Sequence, residues 1–546
     1  MAIRKGLKAL TQARLQSLIG TELLDRLESI VPVLSSDENE SLDLFRKERL
    51  AQLADAFIGD RIFADTEARR MVLESQSPDT IQKLIEKTET THMSEDDLVE
   101  KLVQRGWKDR SFALTVLEEL GSNLAHAPAV QVSSPEIEVI EAPEVPFKPL
   151  KDYQTEVYFE AVHQLRIPRS RFILQMPTGS GKTRVAMEIL ANFFNEAPQN
   201  TVVIWFAHSG ELCEQAYEAF NQVWQHVGRD RVTVLRSWGS GKPNFEIDGR
   251  ILVIASFQKM YSLVTRSNAE ITSLQKRVHL MIIDEAHKVV APTYLHTVKA
   301  IIGDGTRIIG LTATPGRSAT NETDNKALSD FFFQKKVGIG TPSEQSVIEY
   351  LRERRVLACS KFVPLITNLT YELSSSEKTA LERFFDFPAI FIKRLSNDDV
   401  RNVEILKRLK LELEQEKRIL LFACSVEHSR FLTSCLSFYG AKAGHIDGKM
   451  SSSHRHSIIS DFRNGKLQIL SNYGVLSTGF DVPSIDVVFI TRPTASVVLY
   501  SQMIGRGLRG PAIGGTENCK IIDVKDNIIG YSDEESVYDY FEYYWS

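Results

Sequence analysis

Ten short apolar runs, in two series of five, constrain this chain of 546 residues more than any other feature. The first series lies at 172–175, 202–206, 251–255, 280–283 and 307–311. The second lies at 419–423, 443–446, 469–471, 487–490 and 521–524. A strand that is apolar along its whole length is buried on both faces, which demands a parallel sheet with helices on each side. Helical stretches separate the runs. The expected fold class is therefore α/β, with two parallel-sheet domains in tandem. A chain of this length has room for about three or four cores in all.

Residues 1–126 read differently. Leu15, Leu18, Ile19, Leu23, Leu24 and Leu27 recur at helical spacing, as do Leu50, Leu53, Ala54 and Phe57. Ser94, followed by three acids and Leu98, has the form of a helix start. Pro128, Pro135, Pro143 and Pro146 then mark an extended linker. The expected organisation is an all-α accessory or partner domain at 1–126, a linker at 127–147 and a first α/β domain at 148–342. A helical connector at 343–400, a second α/β domain at 401–530 and an aromatic tail at 531–546 complete it.

Hydrophobic content of 43% and charged content of 25% are ordinary for a globular chain. No apolar run approaches the ~18 residues of a membrane span, and no apolar stretch follows the basic N-terminus as in a secretory signal. The five cysteines stand singly, which argues against a zinc ribbon or disulfide framework and fits a reducing cytoplasm. Of the net charge of −6, residues 1–140 carry about −8, leaving about +2 for the rest. A near-neutral body still holds a phosphate backbone through a local groove. His445, His454 and His456 invite a metal reading, but no acid or cysteine stands at ligand spacing, so solvated histidines are expected. The aromatics at 537–545 could stack on bases, but a helix clamping onto the second α/β domain is the commoner reading of such a tail.

Chemistry enters with Met-Pro-Thr-Gly-Ser-Gly-Lys-Thr at 176–183. A strand runs into a turn where Gly179 and Gly181 let backbone N–H groups surround phosphate oxygens. Lys182 adds charge, and the Thr183 hydroxyl can hold Mg²⁺ at the start of a helix. Met176 departs from the strict pattern, which has glycine there. About a hundred residues on, the strand at 280–283 delivers Asp284 and Glu285 to its carboxyl end, one suited to Mg²⁺ and the other to an attacking water. Thr312 and Thr314 follow another strand. In the second α/β series, Gln502, Arg506 and Arg509 share a segment in which two arginines at i and i+3 would face one cleft.

In this order the motifs resemble a superfamily 2 helicase or translocase of the DEAH-box type, closest to the group of DNA-repair helicases and restriction-enzyme motor subunits. The resemblance covers about 148–527. It implies two RecA-like domains, with ATP and Mg²⁺ between them. It assigns Lys182, Asp284, Glu285, Gln502, Arg506 and Arg509 to catalysis, with Thr183 and Asp284 on the metal. Gln154, Pro177, Thr178, Gly179, Ser180, Gly181, Lys182, Thr183, Gly479 and Asp481 would hold the nucleotide, and His287, Thr312 and Thr314 would couple its state to the strand. His208, Ser209, Ser256, Ser425 and Thr478 would touch a nucleic-acid backbone, DNA favoured over RNA. The implied function is an ATP-dependent motor in DNA repair or phage defence. Two alternatives stand beside it: a motor subunit that docks into a larger restriction complex through residues 1–126, and an ATP-gated scaffold that does not translocate.

Overall fold

Every apolar run is a strand in the computed structural model, and the strands build two sheets. The structure describes residues 5–34, 46–58, 61–88, 95–122, 124, 127–128, 137–140, 149–239, 245, 247–266, 268–316, 322–342, 345–367, 369, 371–384, 386–415, 417–448, 450, 452–475 and 484–526. The first sheet comprises β1 (Ile137–Ile140), β2 (Arg171–Gln175), β3 (Val202–Ala207), β4 (Val232–Ser237), β5 (Ile251–Ser256), β6 (Val278–Asp284), β7 (Arg307–Thr312) and β8 (Lys336–Val337). Their order is β1-β4-β5-β3-β6-β7-β2-β8, parallel except for β1 against β4. The second comprises β9 (Cys359–Ile366), β10 (Ile419–Phe422), β11 (Ala443–Ile446), β12 (Ile469–Asn472), β13 (Val487–Ile490) and β14 (Asn518–Lys525), in the order β11-β12-β10-β13-β14-β9 and wholly parallel.

Several strands depart from the sequence reading. The stretch 127–147 contains β1, which adds an antiparallel edge to the first sheet. The stretch 343–400, expected to be helical, contains β9, which pairs over its whole length with β14. As an edge strand β9 alternates in exposure and carries Pro364, so it lacks the continuous apolar signature of its neighbours. β4 and β8 were likewise absent from the apolar series.

The helices between Lys5 and Glu119 bury Leu15, Leu27, Leu50 and Leu53 in a core that continues into the second sheet domain. Helices Thr21–Leu34 and Lys47–Ile58 pack on helices Asp399–Glu414 and Val426–Phe438. Arg26 donates from Nε and Nη2 to Asp399 Oδ1 at 3.1 and 2.7 Å, with its guanidinium 4.2 Å from the Phe431 ring centre. Arg49 donates to the Phe438 carbonyl at 2.9 Å. A continuous apolar core with polar pins makes the N-terminal helices and the second sheet domain one packed unit.

The expectation of solvated histidines is corrected. His445 and His454 are both buried. His445 Nε2 lies 3.1 Å from Asp447 Oδ2, and its Nδ1 lies 2.6 Å from Ser429 Oγ. Two residues along a strand share a face, so Asp447 follows His445 into the same interior. Among the described residues no group of three or more His, Cys, Asp or Glu side chains could hold a metal ion, and no helix is long and apolar enough to cross a membrane. The aromatic tail lies outside the described residues.

Candidate functional site

The phosphate cradle is built as its residues require. β2 ends at Gln175, and helix Lys182–Glu196 begins directly after Gly181. Gly179 and Gly181 have φ of 89° and 91°, in the left-handed region where a side chain is strained. Ser180 closes the turn onto Pro177, its Oγ donating to the Pro177 carbonyl at 2.8 Å. From behind, Tyr153 Oη and Gln154 Nε2 both donate to the Ser180 carbonyl, at 2.8 and 3.0 Å. Gln154 Oε1 accepts from the Lys151 backbone at 3.0 Å, so its amide is spent on shaping the loop. A Cβ on Gly181 would meet Gln154 Nε2 at 2.3 Å, so only glycine allows this approach.

β6 lies beside β7, which lies beside β2, and this order brings Asp284 to the cradle. Glu285 follows with φ 51°, an uncommon conformation for a residue with a side chain and a mark of a functional turn. His287 Nδ1 lies 3.3 Å from Glu285 Oε2 and 3.4 Å from Thr312 Oγ1. Thr312 Oγ1 donates to the Thr314 carbonyl at 2.8 Å and accepts from the Thr314 N–H at 3.1 Å. The Met176 N–H donates to the Thr312 carbonyl at 3.3 Å. Cradle, acids and threonines therefore form one bonded network.

Charges are compressed here. Burial, then the Glu285 charge, raises the Asp284 carboxyl, with Lys182 working against both. Burial also opposes ionisation of Glu285, yet His287 first, then Lys182 and Lys288, hold its carboxyl below the ordinary range. Burial pushes His287 down to about 3, which leaves the imidazole neutral at pH 7.

The second sheet domain closes the site. A Cβ on Gly505 would lie 2.5 Å from both Cβ and Cγ2 of Thr178, and a Cβ on Gly179 would touch Arg509 Cγ at 3.4 Å. Arg506 is buried facing Glu285; burial lowers its pKa to about 10 while the Glu285 charge works to raise it. Burial also lowers that of Arg509. The two arginines reach the site by a route the sequence did not suggest. Helix Val497–Ile504 ends before them, so they do not share a helix face. Arg509 is instead held by backbone pairing of 508–510 with 356–358: Ala358 N–H to Leu508 O at 2.9 Å and Gly510 N–H to Val356 O at 2.8 Å. Gln502 stays on the helix, nearly buried, with Nε2 lacking a protein partner among the described residues.

Two family models match. One, described as the res subunit of type III restriction enzymes, covers residues 147–317; the other, the helicase conserved C-terminal domain, covers 401–510. In these two regions the chain is similar to superfamily 2 helicases. Among its relatives, IRC3 of Saccharomyces cerevisiae, which bears the name of an ATP-dependent helicase, is 29% identical over 68% of this chain and 51% of its own length. ATP-dependent RNA helicase DBP3 of Candida glabrata is 22% identical over 62% of this chain and 56% of its own. The chain thus spans little more than half of either relative. Among solved structures, the ATP-dependent type ISP restriction-modification enzyme LlaBIII bound to DNA shares the fold, with a TM-score of 0.50, 16% identity and coverage of 75% of this chain and 30% of that one.

The residues that the superfamily 2 resemblance marks for a nucleic-acid strand stand at strand ends. Ser209, Ser256 and Ser425 each cap a helix, accepting from the N–H of Leu212, Lys259 and His428 at 3.3, 3.3 and 3.0 Å. Thr478, Gly479 and Asp481 lie outside the described residues. His208 departs from the group, because its ring lies among the groups around Glu285. Tyr153 and Gly505 shape the cradle and its closure, and sequence reasoning missed both. Tyr153 precedes the marked Gln154 on one helix, while Gly505 gives no signal until the two domains meet.

Proposed function

We propose that this chain is a nucleic-acid-stimulated ATPase that moves along or unwinds DNA, working in the cytoplasm in repair or phage defence. One observation carries the reading. Arg506 and Arg509, from the second domain, stand against Glu285 and the cradle of the first, so the site is whole only when the domains close. Transition-state charge on a γ-phosphate calls for such cations, and withdrawing them on opening ties hydrolysis to domain motion.

The residues fit ATP and Mg²⁺. The left-handed glycines shape a turn that side chains would strain, Lys182 supplies positive charge, and the Thr183 hydroxyl and Asp284 carboxylate are hard oxygen ligands. Bound there, Mg²⁺ would neutralise phosphate charge and relieve the strain of a buried Asp284 carboxylate. Glu285, kept ionised, would orient and deprotonate the attacking water. His287, Thr312 and Thr314 would report the state of the site along their hydrogen bonds. Gln154 would act on the nucleotide through the loop it shapes. Ser209, Ser256 and Ser425 would contact strand phosphates, each keeping its O–H to donate while it caps its helix. The N-terminal helices would travel with the second domain as one body, which leaves their outer face for any partner.

The test is the ATPase rate with single-stranded, duplex and forked DNA and with RNA, each across a salt series. Stimulation by DNA that vanishes in Lys182→Ala and Glu285→Gln is expected. Stimulated turnover that survives in either variant overturns the assignment, and stimulation by RNA alone overturns the choice of DNA.

A further inference from the structure

His208 is placed to do something other than hold a phosphate. β3 and β6 run parallel with Phe206 beside Ile283. Past the carboxyl end of each strand, His208 and Glu285 lie close enough for their charges to interact. On its other flank Ala207 pairs with Ser256 on β5, and Gln258 Nε2 donates to the His208 carbonyl at 3.2 Å. One residue thus joins the acid to the first turn of helix Phe257–Val264, whose cap Ser256 is a candidate strand contact.

The ring has the wrong properties for a phosphate ligand. Its Nδ1 is buried and finds no hydrogen-bond partner among the described residues. Burial, with Lys288 next, lowers its pKa to about 4 against the pull of Glu285, so the imidazole is neutral at pH 7. A neutral imidazole carries one donor and one acceptor, and a buried nitrogen with no protein partner is positioned for a hydrogen bond that only the working site completes.

We propose that His208 is a positioning residue for hydrolysis, its buried Nδ1 setting the hydrogen bonding around Glu285 when a strand lies on the helix start at Ser256–Gln258. This rests on the ATPase reading above. The strand shifts the Gln258 turn, the His208 backbone moves with it, and the ring carries the change to the acid. Strand binding and water activation are thereby linked within the first domain, independently of the arginines.

The experiment uses the full chain, a 30-nucleotide oligo-dT, and His208→Ala, His208→Asn and Gln258→Ala. The asparagine side chain can place a polar atom near the position of Nδ1. In His208→Ala the expected outcome is an oligo-stimulated kcat lowered about tenfold or more, with the KM for ATP and the Kd for oligo-dT within about twofold of the parent. His208→Asn should recover at least about a third of that loss, and Gln258→Ala should lower stimulation in the same sense. A His208→Ala variant with parental kcat at saturating oligo-dT but a Kd weakened about fivefold would make His208 a phosphate ligand and overturn the proposal. Equal loss in the alanine and asparagine variants, accompanied by a lowered Tm, would assign it to packing and also overturn it. A parent chain whose ATPase rises with no nucleic acid removes the ATPase reading itself, whereas a stimulated parent with an unaffected His208→Ala removes only this inference.

Discussion

Gly505→Ala should separate closure of the site from the stability of either domain. Gly505 has φ −57° and ψ −17°, which any residue adopts, so the backbone tolerates the change. The new methyl carbon would lie 2.5 Å from both Cβ and Cγ2 of Thr178 in the cradle, and 2.9 Å from the Ser501 carbonyl. Non-bonded carbons rest about 3.5–4.0 Å apart, so the second domain must withdraw by about 1 Å at this contact. Arg506 is the next residue and moves with it. A displacement of about 1 Å at a catalytic group costs on the order of 10²-fold in rate, or about 2.7 kcal/mol in the barrier. The clash lies between domains and outside both cores, so the Tm should stay within about 2 °C of the parent. The assay is steady-state ATPase at saturating ATP and oligo-dT, alongside a thermal melt. A kcat within about twofold of the parent would refute the reasoning, because hydrolysis would then not need this contact. A large fall in Tm would refute it differently, by placing the damage within the second domain at Ser501.

Two further outcomes concern the second domain. Arg401 is fully buried and donates from Nε and Nη2 to Asp526 at 2.9 and 2.8 Å, and from Nη2 to the Thr491 carbonyl at 2.6 Å. Asp526→Ala strands this cation and should cost about 3–5 kcal/mol in a urea melt; a loss under about 1 kcal/mol would contradict the burial. His428 is held neutral, its Nδ1 accepting from the Cys424 N–H at 3.2 Å and its Nε2 lying 2.9 Å from Asn402 Oδ1. Burial, then Arg401, puts its pKa well below the ordinary 6.5. The unfolded chain binds this proton first, so His428 contributes fully above about pH 6.5, and stability falls by up to about 1.4 kcal/mol per unit below it. Urea melts at pH 7.5, 6.5 and 5.5 should show a shallower fall in His428→Gln, and parallel slopes would exclude His428 as the source.

How much could be read from sequence differs by element. The central strands announced themselves because a strand covered on both faces must be apolar throughout, as 202–206 and 280–283 are. Edge strands such as β9 and β1 meet solvent on one side and lose that signature, so the stretches that hold them read as connector and linker. The cradle was legible because its chemistry is local: left-handed glycines, a lysine and a threonine at fixed offsets. Gln154 was legible as a position but not as a role, since its bond to the Ser180 carbonyl depends on how one helix lies behind a loop.

Sequence alone therefore determined the α/β class, the phosphate cradle, the acid pair and the presence of two arginines 300 or so residues downstream, because each rests on local pattern or burial. Tertiary structure alone decided that those arginines leave their helix and are aimed by pairing with 356–358, that Gly505 meets Thr178, that His208 lies close enough to Glu285 for their charges to interact, and that the N-terminal helices belong to the second domain. Each of these is a contact between segments distant in sequence. Such contacts are set by strand order and by the fit of whole surfaces, which no local window of residues encodes.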